Sequence, residues 1–411
     1  MTQKNSNGTS DSLLADPSKL RVIVVGAGIG GLTAAVACKE KGFTVTVLEA
    51  TEKFTHIGAG LQISSNCTRV LLGFSGMRER LDKVGAPLKR VRFHDIEGNQ
   101  IAEKLYEDAE KEYGFPTWMI HRGDLHDCIL AKARELDIDI RMGQLVEKFD
   151  GAGPSVTLKD GSQLEADVIV CGDGYRSRAR SALKGRIDEP LFSGNSAFRA
   201  LIPCSLLQDD DLFPLINWKD QSCYAWVGGT RFIVAYPVRQ GEYYNFVSTQ
   251  PAIHTKGSDY VVNIDSSVVM NEFADWDPRL LKILKHLPEK CLEWKLCDLE
   301  PMDNWALPGG KITLLGDAAH AVLPSSSQGA AMAIEDAAAF AEILSRIEHK
   351  SQIEAAVKAY EDLRRPRTTE VRDSGRRNVA RWKEKDSHEE STNDVIWDYD
   401  VIAEAKIIPI G

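Results

Sequence analysis

The stretch that decides the fold is VIVVGAGIGG, residues 22–31. An apolar run leads into three glycines, Gly26, Gly28 and Gly31, with the spacing GxGxxG. Glycine allows a tight turn, lets the backbone approach a phosphate and lets the next helix pack closely on the strand. The start of that helix offers free N–H groups to an anion. The pattern therefore predicts a site for the pyrophosphate of NAD, NADP or FAD.

The flanking residues complete a strand–helix–strand unit. Residues 21–25 (RVIVV) predict a buried parallel strand, residues 31–42 predict a helix that ends at Gly42, and residues 44–48 predict the next strand. Glu49 follows that strand and is placed to accept a hydrogen bond from a ribose hydroxyl. An acid at this position repels a 2′-phosphate, which disfavours NADP at this site.

The composition excludes several classes of protein. A chain of 411 residues predicts two or three domains, and a net charge of −10 disfavours a nucleic-acid partner. No apolar run approaches the roughly 18 residues of a spanning helix, so we expect no membrane span and a cytoplasmic location. The eight cysteines include no CxxC pair, which predicts reduced thiols and no metal site. Residues 1–19 are expected to form a disordered leader.

Two later motifs extend the cofactor prediction. In DVIVCGDG, residues 167–174, a strand ends in Asp173 and Gly174. In ITLLGDAAHAVLPSSSQGAAMAIED, residues 312–336, a strand ends at Asp317 and a loop leads to a helix of small residues. A nicotinamide dehydrogenase needs only the first motif. A second acid-bearing strand end so far along the chain suits a longer cofactor with a ribityl chain and a flavin ring, which favours FAD.

The remaining pattern predicts an α/β protein: a Rossmann-type FAD-binding domain, an inserted and mostly antiparallel substrate domain, and a C-terminal helical region. Asp124 is expected to cap a helix, and VEKF, SVTL and DVIV are expected to form an antiparallel meander. The FAD-binding domain is predicted to comprise residues 20–75, 105–182 and 290–345. The substrate domain is predicted to comprise residues 76–104 and 183–289, and the helical region residues 346–411.

Taken together, the three motifs resemble the group A FAD-dependent monooxygenases, aromatic hydroxylases that include salicylate hydroxylase and para-hydroxybenzoate hydroxylase. GAGIGG, DVIVCGDG and LLGDAAHAVLP…QGAAMAIED match the fingerprints of that family in order and spacing, and the likeness covers about residues 20–375. The loop SSSQG, residues 325–329, departs from the pattern because it is more polar than the glycine-rich loop of relatives. No particular substrate is therefore transferred.

The resemblance implies roles for individual cofactor residues. It implies that Glu49 holds the adenosine ribose, that the backbone at Gly60 and Leu61 lines the flavin, and that Arg122 bonds the ribityl or pyrophosphate region. Asp173 and Gly174 would support FAD and the nicotinamide donor, and Asp317 would bond the ribityl chain. The amides of Gly329 and Ala330 would meet the pyrimidine edge of the flavin. It also implies that NADH or NADPH docks transiently as the electron donor. Dioxygen would then give a flavin C4a-hydroperoxide that attacks a phenol.

Candidate substrate residues come from the aromatic middle of the chain and from the third motif. Arg199 is expected to clamp a carboxylate or stabilise a phenolate, although a surface salt bridge would explain it as well. Tyr236 is expected to bond a phenolic oxygen or to pack in the core, and Tyr224 is a weaker candidate. His320 has a titration range suited to accepting a phenol proton, but a structural role near the flavin loop is favoured. Pro324 is expected at the pocket edge.

Three functions remain open at this stage. The leading hypothesis is hydroxylation of a salicylate- or hydroxybenzoate-like acid, with or without oxidative decarboxylation. The alternative is a tailoring hydroxylase of a phenolic aldehyde or polyketide, whose pocket need not recognise a carboxylate. The third is a flavin-binding regulator without turnover. A small aromatic substrate, dioxygen and a monomer or homodimer are expected in the first two cases.

Overall fold

The computed structural model describes residues 20–55, 59–207, 209–254, 260–384 and 393–411. The predicted leader, residues 1–19, lies outside the described residues.

A parallel sheet forms the base of the molecule. Its strand order is β19-β12-β1-β2-β8. The strands are β1 (Arg21–Val25), β2 (Thr44–Leu48), β8 (Asp139–Arg141), β12 (Val168–Cys171) and β19 (Ile312–Leu314). β1, β12 and β19 are largely buried, as is typical of a sheet covered on both faces. Because all five strands are parallel, their carboxyl ends meet at one edge, where all three motifs end.

Helices pack on this sheet largely as the sequence predicts. The helix after the glycines, α1 (Ile29–Glu40), packs between α5 (Arg122–Glu135) and α11 (Gly329–Leu344). One detail of the prediction is wrong, because the side chain of His121 caps α5 by accepting from the Gly123 N–H. Asp124 lies in the first turn of α5 and is paired with an arginine instead.

The predicted meander needs a second correction. Its first two strands exist, but the third is β11 (Gln163–Glu165), which follows β9 (Val146–Asp150) and β10 (Ser155–Leu158). The segment DVIV belongs to β12 and pairs in parallel with β1 and β19. A run of four buried residues fits a central parallel strand better than a hairpin strand, which would alternate.

A second, larger sheet carries the aromatic middle of the chain. Its order is β17-β18-β13-β16-β15-β14-β5-β6, and its pairs are antiparallel except for the parallel pair of β14 and β5. The strands are β5 (Arg90–His94), β6 (Gln100–Leu105), β13 (Leu191–Pro203), β14 (Ser222–Gly228), β15 (Arg231–Val238), β16 (Tyr243–Pro251), β17 (Val261–Asp265) and β18 (Lys290–Asp298).

The two faces of this sheet have different neighbours. One face packs its aromatic side chains, including Phe198 and Phe246, with residues of α8 (Ser266–Glu272) and α9 (Pro278–Leu284). The other face includes Tyr236 and packs against Met119 of the strand before α5. Successive residues of a strand alternate between these faces, so strand register decides which side chains look toward the cofactor domain.

A small sheet of order β3-β7-β4 lies between the two layers. Its strands are β3 (Gly60–Ile63), β4 (Ala86–Pro87) and β7 (Trp118–His121). The remaining helices are α2 (Ser65–Gly73), α3 (Met77–Leu81), α4 (Ala109–Tyr113), α6 (Arg178–Lys184), α7 (Phe213–Ile216), α10 (Asp317–His320), α12 (Ile353–Glu384), α13 (Asn393–Trp397) and α14 (Val401–Ile407).

The predicted fold class is confirmed: a Rossmann-type layer, a mostly antiparallel second sheet and a helical C-terminal segment are all present. The predicted domain boundaries stay a prediction. Across the part of the chain that the structure describes, no helix is both long enough and apolar enough to cross a membrane.

Candidate functional site

The glycine turn has the shape of a phosphate cradle. Gly26 has a φ of +95°, a conformation that other residues rarely adopt. A Cβ on Gly31 would lie 2.0 Å from the carbonyl oxygen of Gly26, so a larger residue cannot fit there. A Cβ on Gly28 would instead meet nothing within 4 Å. The start of α1 is therefore tightly packed against the turn at Gly31 and open at Gly28, which leaves room for a pyrophosphate.

Glu49 lies directly against this turn. Its Oε2 accepts a hydrogen bond from the Ala27 N–H at 2.8 Å, and its Oε1 accepts from the N–H and the hydroxyl of Thr51, each at 2.9 Å. These bonds hold the carboxylate at the carboxyl end of β2, beside the open start of α1. The geometry fits a ribose there, and the role of Glu49 in holding it stays a prediction.

Asp173 and Gly174 shape the loop after β12. The Oδ2 of Asp173 accepts from the N–H groups of Arg178 and Ala179 at 2.9 and 3.3 Å, which anchors the start of α6. Its Oδ1 is buried and has no hydrogen-bond partner among the described residues, and burial raises the pKa of this carboxyl group. Gly174 has a φ of +81° and makes the turn possible. The visible role of Asp173 is structural, with one oxygen still available.

Asp317 and the start of α11 form the far end of the cleft. The Asp317 side chain is exposed to the cleft, yet the surrounding protein raises its pKa through desolvation, while His320 and Arg122 lower it. A Cβ on Gly329 would meet nothing within 4 Å, so the start of α11 is open as well. The acid Asp317 fits the ribityl chain of FAD. The open start of α1 fits the pyrophosphate, and the open start of α11 fits the ring edge.

His320 connects this loop to α11. Its Nε2 lies 2.6 Å from Oδ2 of Asp336, which also accepts from the Gly316 N–H at 2.9 Å, while Oδ1 pairs with Arg364 at 2.8 Å. Burial alone would raise the pKa of Asp336, but His320 and Arg364 outweigh it and hold the pKa at about 2. This contact supports the structural role that the sequence favoured for His320, and a role as a catalytic base stays a prediction.

The inner face of the large sheet brings Arg199 and Tyr236 together. Tyr236 pairs in register with Asn245, and Arg199 pairs with Val247 two positions further along the same strand, so these side chains share one face. Arg199 and Tyr236 lie close enough to influence each other's ionisation. A Cβ on Gly60 would lie 2.6 Å from the Tyr236 hydroxyl, so this face meets the predicted flavin lining directly.

Arg199 is a half-buried cation without a counter-ion among the described residues. Its Nε is fully buried and has no hydrogen-bond partner there, and its guanidinium lies 5.6 Å from the centre of the Trp294 ring. Burial lowers the pKa of Arg199, the Tyr236 hydroxyl opposes this shift, and the nearby Arg122 adds to it. An unpaired and partly desolvated charge is costly, and an anion bound there would offset that cost.

Asn245 is a site residue that the sequence analysis missed. Its side chain is fully buried, and its Oδ1 accepts from the Gly60 N–H at 2.7 Å. Its Nδ2 has no partner among the described residues. Asn245 therefore fixes the backbone that the flavin is expected to touch. An asparagine amid apolar residues, in YYNFV, was the one signal for it.

Tyr224 lies elsewhere, and the prediction that it shares the pocket is wrong. It pairs with Ala235, one residue before Tyr236, and therefore points to the opposite face. Its hydroxyl accepts from Arg92 at 2.7 Å and donates to the Pro214 carbonyl at 2.7 Å. Pro324 begins a short turn that packs beside α12, and its role at the pocket edge stays a prediction.

The arrangement is that of a dinucleotide-binding flavoprotein with a second, mostly antiparallel sheet. Residues 19–254 and 286–374 match the family described as FAD binding domain. The chain belongs to this family.

Similar proteins support the assignment. The chain is 34% identical to the FAD-dependent monooxygenase ntnJ of Nectria sp., over 86% of this chain and 82% of that protein. It is 31% identical to 3-amino-4-hydroxybenzoate 2-monooxygenase of Streptomyces cremeus, over 87% and 86%. The crystal structure of CtdE in complex with FAD and its substrate 4 superposes with a TM-score of 0.84 at 26% identity, over 94% of this chain and 97% of that chain.

This protein is an FAD-dependent monooxygenase of the aromatic hydroxylase family, and the resemblance stated from its motifs is confirmed. FAD is its cofactor. The roles of individual residues in holding FAD and substrate stay predictions, because they rest on the geometry of this chain alone.

Proposed function

We propose that this protein hydroxylates a phenolic substrate that carries an anionic group, such as a salicylate- or hydroxybenzoate-like acid, with NAD(P)H and dioxygen. The observation that carries the proposal is the half-buried Arg199, whose buried Nε has no hydrogen-bond partner among the described residues, on the sheet face that meets Gly60. In balance, one oxygen atom enters the substrate and the other leaves as water, while NAD(P)H gives up two electrons and is oxidised. FAD, when bound, supplies the activation of dioxygen.

Arg199 would orient the ring. A guanidinium binds a carboxylate through two parallel hydrogen bonds, which fixes both position and rotation of the substrate. Since Arg199 has no carboxylate partner in the described protein, binding an anion removes the cost of an isolated charge. A substrate without a negative group leaves that cost in place, so the pocket selects for anions.

Tyr236 would act as a neutral hydrogen-bond donor. Burial raises the pKa of its hydroxyl far above the ordinary value, so it keeps its proton at every working pH. A protonated tyrosine beside a cation favours the phenolate form of a bound phenol, which is the more electron-rich ring. The apolar side chains around Tyr236 also exclude water, which would otherwise divert the oxidant into hydrogen peroxide.

A phenolic aldehyde or polyketide is the second candidate substrate class. One cation is enough to stabilise a phenolate, and Arg199 and Tyr236 together provide that without any carboxylate on the ring. In both cases residues 20–75, 105–182 and 290–345 would bind FAD, and residues 76–104 and 183–289 would bind substrate.

The decisive experiment is a substrate panel. Purified protein loaded with FAD is mixed with NADH or NADPH and with matched phenolic acids and aldehydes, and oxygen uptake, hydrogen peroxide, carbon dioxide and product mass are measured. We expect an acid to stimulate NAD(P)H oxidation and to gain one oxygen atom. Carbon dioxide release reports attack at the carbon that carries the carboxylate.

Three variants test the pocket. Arg199→Met should lower kcat/KM for acids by about 100-fold or more, because a charge-assisted contact is lost, and should raise the share of peroxide. Tyr236→Phe should slow the reaction less. Tyr224→Phe is the matched control, since that hydroxyl lies on the other face, and should change kcat/KM little. Unchanged kinetics in Arg199→Met would remove this residue from the site, and NAD(P)H oxidation that no substrate stimulates would favour the regulator hypothesis.

A further inference from the structure

Two helices that begin beside the expected flavin are tied together at their first residues. Ser64 precedes α2, directly after the strand β3 that is expected to line the flavin, and Gln328 precedes α11. Within the described part of the chain, neither side chain caps its own helix. Instead, the Nε2 of Gln328 donates to the Oγ of Ser64 at 2.9 Å, across 264 positions of the sequence. The two helix starts therefore hold each other in place.

Asn66 closes a ring of hydrogen bonds between these two side chains. The Oγ of Ser64 donates to the Oδ1 of Asn66 at 2.6 Å, and the Nδ2 of Asn66 donates to the Oε1 of Gln328 at 3.1 Å. All three side chains are almost completely buried, and each of them both donates and accepts. We call these three residues the Ser–Asn–Gln cycle. Hydrogen bonds in such a closed, buried set strengthen one another and make the set rigid.

A buried carboxylate fixes the direction of the cycle. Glu335 accepts from the Nδ2 of Asn66 at 2.5 Å, and it also pairs with Arg364 at 2.7 Å and with Arg367 at 3.3 Å. A carboxylate that pairs with two arginines can only accept, so the amide group that faces it must be the NH₂ of Asn66. The oxygen of Asn66 then faces Ser64, whose hydroxyl has to donate to it. The cycle therefore has one arrangement and no alternative amide flip.

The loop before α11 depends on contacts of this kind. Ser327 has a φ of +53°, in the left-handed region that residues other than glycine rarely adopt. Its neighbour Gln328 is buried, whereas a Cβ on Gly329 would meet nothing within 4 Å. The side chain of Gln328 thus holds the loop from inside the protein, while the residues that follow it leave their N–H groups free at the start of α11.

A fixed helix start matters for a cofactor that changes charge. Two electrons and one proton convert the neutral flavin ring into an anion. The N–H groups and the dipole at a helix start stabilise a negative charge beside them, and this effect falls off within one turn. Donors that are already in place cost no reorganisation when the charge develops. A start of α11 that moves would therefore lose more interaction with the reduced ring than with the oxidised ring.

We propose that Ser64, Asn66 and Gln328 are positioning residues of the flavin site, whose cycle holds the start of α11 where it favours the reduced, negatively charged form of FAD over the oxidised form. The three side chains act through the backbone of α11 and do not have to touch the ring. The inference rests on FAD as the cofactor and is independent of the choice of substrate.

The first test is the midpoint potential of bound FAD, measured against a reference dye without oxygen, nicotinamide or phenol. Gln328→Met removes the whole amide at similar side-chain length. The ratio of the affinities for reduced and oxidised FAD should fall about tenfold, which makes a two-electron potential about 30 mV more negative. Ser64→Ala should shift the potential in the same direction by a smaller amount. Ser64→Thr keeps the hydroxyl and should keep the wild-type potential.

Gln250 offers a matched control. It is a fully buried glutamine whose side chain donates to Ser196 at 3.1 Å and accepts from Ser248 at 2.7 Å, in the large sheet. Gln250→Met breaks hydrogen bonds of the same type away from the start of α11. It should lower the free energy of unfolding, because buried partners lose their bonds, and should leave the midpoint potential unchanged.

A second measurement separates positioning from a merely structural role. The Kd for oxidised FAD, from flavin fluorescence, should change less than about threefold in Ser64→Ala and Gln328→Met. A structural role alone would weaken both redox forms equally, which raises this Kd and leaves the potential unchanged. A wild-type potential in either variant, or an equal shift in Gln250→Met, would overturn the proposal. If Gln328→Met does not retain FAD, the comparison of Ser64→Ala with Ser64→Thr decides.

Discussion

Arg364 and Arg199 are both enclosed by protein, but their surroundings differ completely. Arg364 is fully buried, lies 2.7 Å from Glu335 and 2.8 Å from Asp336, and binds α12 to α11. Arg199 has no acid to pair with among the described residues and faces the cleft beside Tyr236. Removing one partner of a buried ion pair is strongly destabilising, whereas removing a buried charge that has no partner is not, and we propose that Arg199 serves a ligand. Whether the charge is paired, more than how deeply it is buried, distinguishes the structural role of Arg364 from the binding role that we propose for Arg199.

The largest effect should come from breaking the paired site. Arg364→Met removes the cation that Glu335 and Asp336 share and leaves them with Arg367 and His320, so it should lower the free energy of unfolding by about 3–5 kcal/mol. Urea denaturation of the FAD-loaded protein measures this. The neighbouring Arg365→Met is the control, since its pair with Asp303 is 3.9 Å long and solvent-exposed, and should cost less than about 1 kcal/mol. Equal losses would show that the buried cluster contributes no more than a surface pair.

An intermediate effect is expected at Glu49, whose carboxylate is held by the protein and faces the cleft. Glu49→Gln keeps the shape but loses a charge-assisted hydrogen bond to ribose, so the Kd for FAD should rise by about 10- to 100-fold. Flavin fluorescence on titration of the apoprotein reports this value. Glu52→Gln, an exposed neighbour, should leave Kd unchanged. Full flavin retention in Glu49→Gln would contradict the assignment of the ribose to this residue.

The opposite sign is expected at the unpaired site. Arg199→Met removes a desolvated cation and inserts an apolar side chain of similar length, so the free energy of unfolding should stay level or rise by about 1 kcal/mol. The same urea series as for Arg364→Met shows the contrast. A loss of several kcal/mol would mean that Arg199 has an anionic partner in the free protein, and the comparison would fail.

The smallest effect concerns the pair that joins the two layers. Asp124 accepts from Arg239 at 2.8 and 2.6 Å. Burial alone would raise the pKa of Asp124, but Arg239 and His121 lower it to about 2, below the model-peptide value of about 4. Because the folded pKa is depressed, this pair stabilises the protein above about pH 4 and loses its contribution as pH falls toward 2. Thermal unfolding of Asp124→Asn between pH 2 and 7 should show less acid destabilisation than the wild type. Arg239→Met should flatten the same window, and identical acid profiles would exclude the pair as a contributor.

Local pattern was enough to predict the cofactor layer. The first strand, the glycine turn and α1 follow from a few adjacent residues, because phosphate binding uses backbone groups and glycine conformations that a short stretch encodes. The same approach failed for DVIV, where buried parallel strands and hairpin strands look alike until their partners are known. It also placed the cap of α5 three residues too late, at Asp124.

The pocket could be predicted only in part. Arg199 and Tyr236 were found by residue type, but Tyr224 was grouped with them because the sequence does not show which face a strand residue takes. The bond between His320 and Asp336 could not be predicted from the sequence, because it joins two segments that a loop separates. Asn245 was missed because its partner, Gly60, lies 185 residues away in the chain.

The sequence by itself determined the cofactor and the family, since each depends on short motifs whose backbone geometry is local. The tertiary structure alone decided which charges are neutralised and which side chains share a face with the flavin loop. These properties depend on strand register and on contacts between segments hundreds of residues apart, and the strength of an electrostatic interaction depends on those distances and on burial.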